Sequence, residues 1–282
     1  MRPLPHLLLL RLPRRLPRRL PGPRAVARAG FFDAPGPRIF AHRGLALDAP
    51  ENSLLAFVAA LSNGATHLET DVHVTRDGVA VLSHDPDLTA FGRPERIDEL
   101  SFAQLGRIRL PAGQVVPSLS EALDTFPEAL FNIDVKAAGA VGPTIRAVRD
   151  NRATHRVLIT SFAENRRRNT VAGLPGVATS PSSTEFARAL AAAAVNSRSQ
   201  TRRLLQGFAA VQVPERAGVL RIVSPRFVRL MHSIGVEVHV WTVNDPVAMD
   251  RLLALGVDGI VTDRCDLLAA RVKAPKLGIP PE

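Results

Sequence analysis

Three things are scarce in this chain: cysteine, long apolar runs and, at its start, acid. Cys265 is the single cysteine in 282 residues, which excludes an internal disulfide and a zinc–thiolate cluster and permits a reducing compartment. The apolar run Leu7 to Leu10 ends at Arg11, too short for the core of a secretory signal or for a transmembrane span. The first 30 residues hold eight arginines and no Asp or Glu, so most of the formal charge of +10 sits there, and the remainder carries 28 basic against 26 acidic residues. A nucleic-acid partner is therefore not expected of the folded part. Repeated Leu-Pro-Arg-Arg units over residues 11–20 break any helix that could have been amphipathic. Composition predicts a disordered basic arm over residues 1–36, either without a role or weakly attracted to an anionic membrane surface. The expected location is cytoplasmic, peripheral to a membrane at most.

What the rest contains is enough apolar residue for one large core, 46% of the chain, in alternating short β-rich runs and capped helical stretches. Ser118 with Glu121 and Ser101 with Gln104 fit the capping box. Ser224-Pro225 and Asp245-Pro246 place a capping side chain before a proline in the first turn, and Gly235 and Gly256 end those helices. Nine strands are predicted: 38–41, 67–72, 79–82, 131–135, 157–160, 177–179, 210–213, 236–241 and 259–261. The third follows the second through Asp77-Gly78, a link so short that it joins antiparallel strands. The other eight have crossover-length connections, the number that closes a parallel (β/α)8 TIM barrel. The predicted layout is the arm at 1–36, the α/β barrel at 37–274 with a small turn-rich insertion at 85–117 after the second strand, and a tail at 275–282.

Strand alternation sorts the chemistry. Along 67–74, Leu68, Thr70, Val72 and Val74 point one way and His67, Glu69, Asp71 and His73 the other. Along 131–136, Phe131, Ile133 and Val135 face helices while Asn132, Asp134 and Lys136 share the opposite face. A barrel interior is normally apolar, so polar rows at two strand ends are costly unless they bind something. Converging acids would be relieved by a hard divalent cation, and oxygen-only ligands favour Mg²⁺ or Ca²⁺. The alternative is a buried network in which Glu69 or Asp71 pairs with Arg43 or Lys136. His42 and His84, at the ends of strands beside Arg43 and Asp85, are placed to act as general acid and base. His67, His73, His155, His232 and His239 read as satisfied core residues.

These residues resemble the glycerophosphodiester phosphodiesterase family. The resemblance rests on Ala41-His42-Arg43-Gly44, Pro50-Glu51-Asn52-Ser53, Glu69-Thr70-Asp71-Val72, Thr75-Arg76-Asp77-Gly78 and His84-Asp85. It continues through Asn132-Ile133-Asp134-Val135-Lys136, Ser161-Phe162, Val240-Trp241-Thr242-Val243-Asn244 and the run from Gly256 to Asp263. The resemblance implies a TIM barrel, a cation held by Glu69, Asp71 and Asp134, His42 and His84 as the acid/base pair, and Arg43 and Lys136 on the phosphate. It places Trp241 on the pocket wall and Glu51 either at the metal site or orienting a histidine, against a plain helix-start role. Two departures stand out. Asp134 occupies a position where the family commonly has glutamate, and the family's Arg-Thr-Thr run after the His-Asp pair is absent.

The expected activity is metal-dependent hydrolysis of a small-molecule glycerophosphodiester to sn-glycerol 3-phosphate and an alcohol. A rival of lysophospholipase D type would act on membrane lipids and would be favoured by an apolar mouth. A catalytically silent binding protein is the third reading, opposed by the intact histidines and acids.

Overall fold

The computed structural model describes residues 30–33, 35–195 and 197–273. The expected arm as far as residue 29 and the tail 275–282 lie outside them. The strands are β1 (Arg38–His42), β2 (His67–Val74), β3 (Ala80–Leu82), β4 (Leu130–Val135), β5 (Val157–Thr160), β6 (Ala178–Thr179), β7 (Ala210–Pro214), β8 (Arg216–Ala217), β9 (Leu220–Arg221), β10 (Glu237–Trp241) and β11 (Gly259–Thr262). All nine predicted strands are among them. The order β6-β5-β4-β2-β1-β11-β10-β7 is parallel throughout, and β3 pairs antiparallel with β2. These eight strands form a nearly closed TIM barrel. At the seam, Ser180 Oγ after the two-residue β6 donates to Gln212 Oε1 of β7 at 3.3 Å, a side-chain link where a ladder would otherwise run.

Outward-facing Leu68, Val72, Phe131, Ile133 and Val135 enter one apolar core with Phe57 and Leu119 from the helices, as the alternation requires. Both predicted capping boxes form, and Ser224 and Asp245 cap the helices 225–233 and 246–254. The insertion after β3 has a small core of its own, built from Val81, Leu88, Ile97, Leu105, Leu110 and Val116. The hairpin β8–β9 is not among the predicted strands, because strands of two residues carry no period to detect.

The floor of the barrel corrects the boundary expected at residue 37. Phe31 is 0% exposed and packs with Phe40, Leu158 and Val261. Its carbonyl accepts from His67 Nε2 at 3.0 Å, and Arg38, paired with Glu237 at 2.7 Å, donates to the Phe32 carbonyl. The proline and glycine on either side hide two adjacent aromatics whose burial is tertiary. The core reading of the spare histidines also needs correction. His67, His73 and His239 are buried, whereas His155 and His232 are exposed, His232 standing 2.8 Å from Asp258.

Candidate active site

The mouth is assembled from strand ends whose register sets the neighbours. His42 on β1 lies opposite Glu69 on β2, and Asp71 lies opposite Asp134 on β4. β3 then brings the chain back down β2, where Ser83 N–H donates to the Asp71 carbonyl at 3.1 Å and delivers His84 to the level of the acids. Immediately after β1 the backbone turns sharply. Arg43 has φ 57° and Gly44 φ 88°, and a Cβ on Gly44 would sit 2.7 Å from that of Ala56. A side chain in the left-handed region costs about 1–2 kcal/mol, and several bonds hold Arg43 there. Its N–H donates to the Glu69 carbonyl at 3.0 Å, its own carbonyl accepts from Asn52 N–H at 2.8 Å, and Asn52 Oδ1 accepts from Thr70 at 2.7 Å.

Each catalytic histidine candidate is backed by a carboxylate on Nδ1. His42 Nδ1 is 2.7 Å from Asp263 Oδ1 and His84 Nδ1 is 2.8 Å from Asp85 Oδ1. Asp263 is itself held by Asn244, whose Nδ2 donates to it at 2.5 Å and whose Oδ1 accepts from the Asp263 N–H at 2.9 Å. This arrangement fixes the His42 tautomer and leaves Nε2 for the reaction. Burial alone would lower the His42 pKa, but the Asp263 hydrogen bond and the Glu69 charge outweigh it, and the net direction is up. The same bond holds the Asp263 carboxyl below its ordinary range.

The acids and bases between them form a dense network. Asp71 is 2.9 Å from both Arg43 Nε and Lys136 Nζ, and Lys136 is 2.8 Å from Asp134. Arg43 Nη1 also donates to both Glu51 oxygens at 3.0 Å, a contact through which Glu51 orients the arginine. Burial and the neighbouring Asp71 push the Glu69 carboxyl up to about 8. Burial also raises Asp134, against the pull of Lys136. Burial would lower Lys136, but Asp71 and Asp134 more than reverse that.

Glu69, Asp71 and Asp134 fit a hard divalent cation by donor type. Asp71 Oδ2 and Asp134 Oδ1 are buried without a hydrogen-bond partner, the 2.9 Å approach of Arg43 Nε being too poorly aligned to count as one. Among the described residues no three metal-ligating side chains are already gathered into a metal cluster. The Lys136 ammonium bridges Asp71 at 2.9 Å and Asp134 at 2.8 Å and neutralises both acids.

All eight residues expected at the site line one cavity of about 510 Å³: His42, Arg43, Glu69, Asp71, His84, Asp134, Lys136 and Trp241. Sequence reasoning gives no site role to Asp263, Asn244 and Gln212, and places Asn132 only on the polar face of its strand. Asp263 and Asn244 stand only inside the motifs that carry the family resemblance. Asn132 Oδ1 and Gln212 Nε2, both in strands that line the cavity, are buried without partners. For Gln212 a signal exists, since it is the one polar residue in the apolar run Ala-Val-Gln-Val of β7. Phe162 stands over the Lys136 ammonium, 5.6 Å from ring centroid to nitrogen, and meets Trp241 edge to face at 5.9 Å.

The model of the glycerophosphoryl diester phosphodiesterase family matches residues 42–267. A Mycobacterium tuberculosis protein named probable glycerophosphodiester phosphodiesterase 2 is 41% identical over 237 residues, covering 83% of this chain and 90% of its own length. The barrel is similar to a glycerophosphodiester phosphodiesterase of Agrobacterium tumefaciens, with a TM-score of 0.69, 22% identity and coverage of 83% of this chain and 99% of the other. It is also similar to an Oleispira antarctica phosphodiesterase solved with its product sn-glycerol-3-phosphate, with a TM-score of 0.68, 21% identity and coverage of 84% and 97%.

Proposed function

The chain belongs to the glycerophosphoryl diester phosphodiesterase family, and on that premise we propose that it hydrolyses glycerophosphodiesters to sn-glycerol 3-phosphate and an alcohol. The observation that carries this reading is two carboxylate-backed imidazoles opening on one cavity with three acids, Arg43 and Lys136. In the proposed reaction one histidine takes the proton of the nucleophile and the other gives a proton to the departing alkoxide as the P–O bond breaks. Water can attack phosphorus directly, or the glycerol 2-hydroxyl can attack first and form a cyclic phosphate that water opens. Arg43 and Lys136 bind the phosphate oxygens and offset the charge that builds on them, a fork and a point charge suited to a tetrahedral anion. A divalent cation, Mg²⁺ or Ca²⁺, would be held by Glu69, Asp71 and Asp134 and would polarise a phosphoryl oxygen as a Lewis acid.

Incubation with a panel of glycerophosphodiesters, followed by phosphorus NMR, is expected to show sn-glycerol 3-phosphate from at least one of them, and a transient cyclic phosphate would identify the two-step route. Binding without turnover of any member would favour a silent barrel and overturn the reading.

The Asp263 contact gives a separate prediction. Asp263→Asn is expected to lower kcat about ten- to a hundredfold with the fold intact. Because the carboxylate raises the His42 pKa, its loss should also move the limb of the pH–rate profile set by His42 toward acid. An unchanged profile would show that Asp263 does not act through His42.

A further inference from the structure

Three consecutive arginines, Arg166 to Arg168, lie in the first turns of the helix Glu164–Ala172 that follows β5, and each has a different address. Arg168 reaches Glu164 on the surface at 3.6 Å. Arg167 is buried and pairs with Glu185 at 2.6 Å. Arg166, half-buried, turns back over the end of β4 instead. Its Nη1 donates to the Lys136 carbonyl and its Nε to Ser161 Oγ at 3.1 Å, while Ser161 donates to the Val135 carbonyl at 2.7 Å.

Asp134 and Thr160 are the last residues of β4 and β5 in register. The next two carbonyls of the β4 segment, where that ladder stops, are thus taken by side chains from the stretch after β5. On the other side, Lys136 N–H donates to the Val72 carbonyl at 3.0 Å. The far end of the same lysine meets the Phe162 ring, 5.6 Å from centroid to ammonium. One short stretch, 161–166, therefore holds Lys136 by its backbone and by its tip. A lysine is a point charge on a flexible stem of four carbons, so its head is placed only as well as its backbone and surroundings are fixed. Arg166 is not among the residues that line the cavity, and it acts on anything bound there only through what it holds.

We propose that Arg166 is a positioning residue: by fixing the Lys136 carbonyl it aims the ammonium between Asp71 and Asp134 and toward the phosphate. The contact with phosphate rests on the hydrolytic reading above, whereas the aiming of Lys136 does not. An arginine that serves the fold alone stands at the other end of β5 for comparison. Arg156 donates to the carbonyls of Phe126, Ala129 and Leu123 at 3.1, 2.9 and 2.7 Å, and none of these residues lines the cavity.

The chain has three lysines, Lys136, Lys273 and Lys276, so NMR of the protein grown on isotope-labelled lysine follows Lys136 directly. Its signal is the one lost in Lys136→Met or, should that variant not fold, the one left by Lys273→Arg and Lys276→Arg. The Lys136 side-chain signal, which feels the Phe162 ring, is expected to move or broaden in Arg166→Ala, with Arg166→Gln standing in should the first fold poorly. Arg166→Lys, which keeps a donor for the carbonyl, should restore part of the native signal. Arg156→Ala should leave the signal in place and lower the melting temperature. In parallel, kcat/KM for glycerophosphocholine is expected to fall about ten- to thirtyfold in Arg166→Ala, but by less than about twofold when the same change is made in Lys136→Met, where nothing is left to position. A Lys136 signal that does not move, an unchanged kcat/KM beside a moved signal, or a full loss that persists in the Lys136→Met background would overturn the proposal. A moved signal with no turnover of any glycerophosphodiester, by wild type included, would uphold the positioning of Lys136 and remove the hydrolytic reading instead.

Discussion

Replacing His42 or His84 by alanine is expected to remove a hundredfold or more of turnover, about the range of a general acid or base, while leaving the melting temperature nearly unchanged. Neither side chain belongs to an apolar cluster. Each makes one side-chain bond to a carboxylate, His42 to Asp263 just beyond β11 and His84 to the adjacent Asp85, and each faces the open cavity rather than the core. The floor histidines supply the contrast within the same molecule. His67 is buried between Phe31 and Phe40 with its ring bonded to Thr66 and to the Phe31 carbonyl, and burial pushes its pKa down to about 3. His67→Ala should therefore lower the melting temperature and spare the turnover of the protein that remains folded. Measuring kcat and thermal unfolding for all three variants separates the two roles, and near wild-type turnover in either mouth variant would withdraw that residue as acid or base.

Mouth and floor also differ in how much of each is legible in the amino-acid sequence. Alternation in β2 and β4 places Glu69, Asp71, Asp134 and Lys136 on one face because a strand's period is a local property of the chain. Asp77-Gly78 announces the antiparallel β3, and with it the one strand to leave out of the eight. What escapes is tertiary. The partner that orients His42 lies 221 residues away, at the end of the last barrel strand, and nothing in the residues around His42 points there. Phe31 and Phe32 escape for the converse reason. Their neighbours, Pro-, Gly- and Arg-rich on both sides, read as an arm, and only the closed barrel provides the floor against which they are buried. Glu51 lies between these cases: its loop is evident, but its partner depends on Arg43 adopting a backbone conformation that few arginines do.

The metal is where two physical readings of the same acids diverge most, and exhaustive chelation is expected to abolish turnover, with Mg²⁺ or Ca²⁺ restoring it and Zn²⁺ failing to. As they stand, Asp71 and Asp134 are neutralised by Arg43 and Lys136 at 2.8–2.9 Å, and a buried ion network of this kind can exist for its own sake. Such a network leaves one feature unexplained: two buried carboxylate oxygens, Asp71 Oδ2 and Asp134 Oδ1, without hydrogen-bond partners. A dication held by these acids would supply what the two oxygens lack, and its binding would carry a pH signature. Below about 8, Glu69 holds a proton that the cation must displace, so apparent affinity should weaken as pH falls, by up to about tenfold per unit for one displaced proton. Titrating Mg²⁺ or Ca²⁺ calorimetrically at pH values on either side of 8 measures this directly, without reference to activity. Among substitutions at the three acids, Asp134→Glu should be the mildest, since it keeps charge and oxygen donors and lengthens the chain by one methylene, whereas Glu69→Gln and Asp71→Asn should each cost most of the activity. Full turnover after exhaustive EDTA treatment, together with cation binding that does not change with pH, would leave the ion network as the whole explanation of these acids.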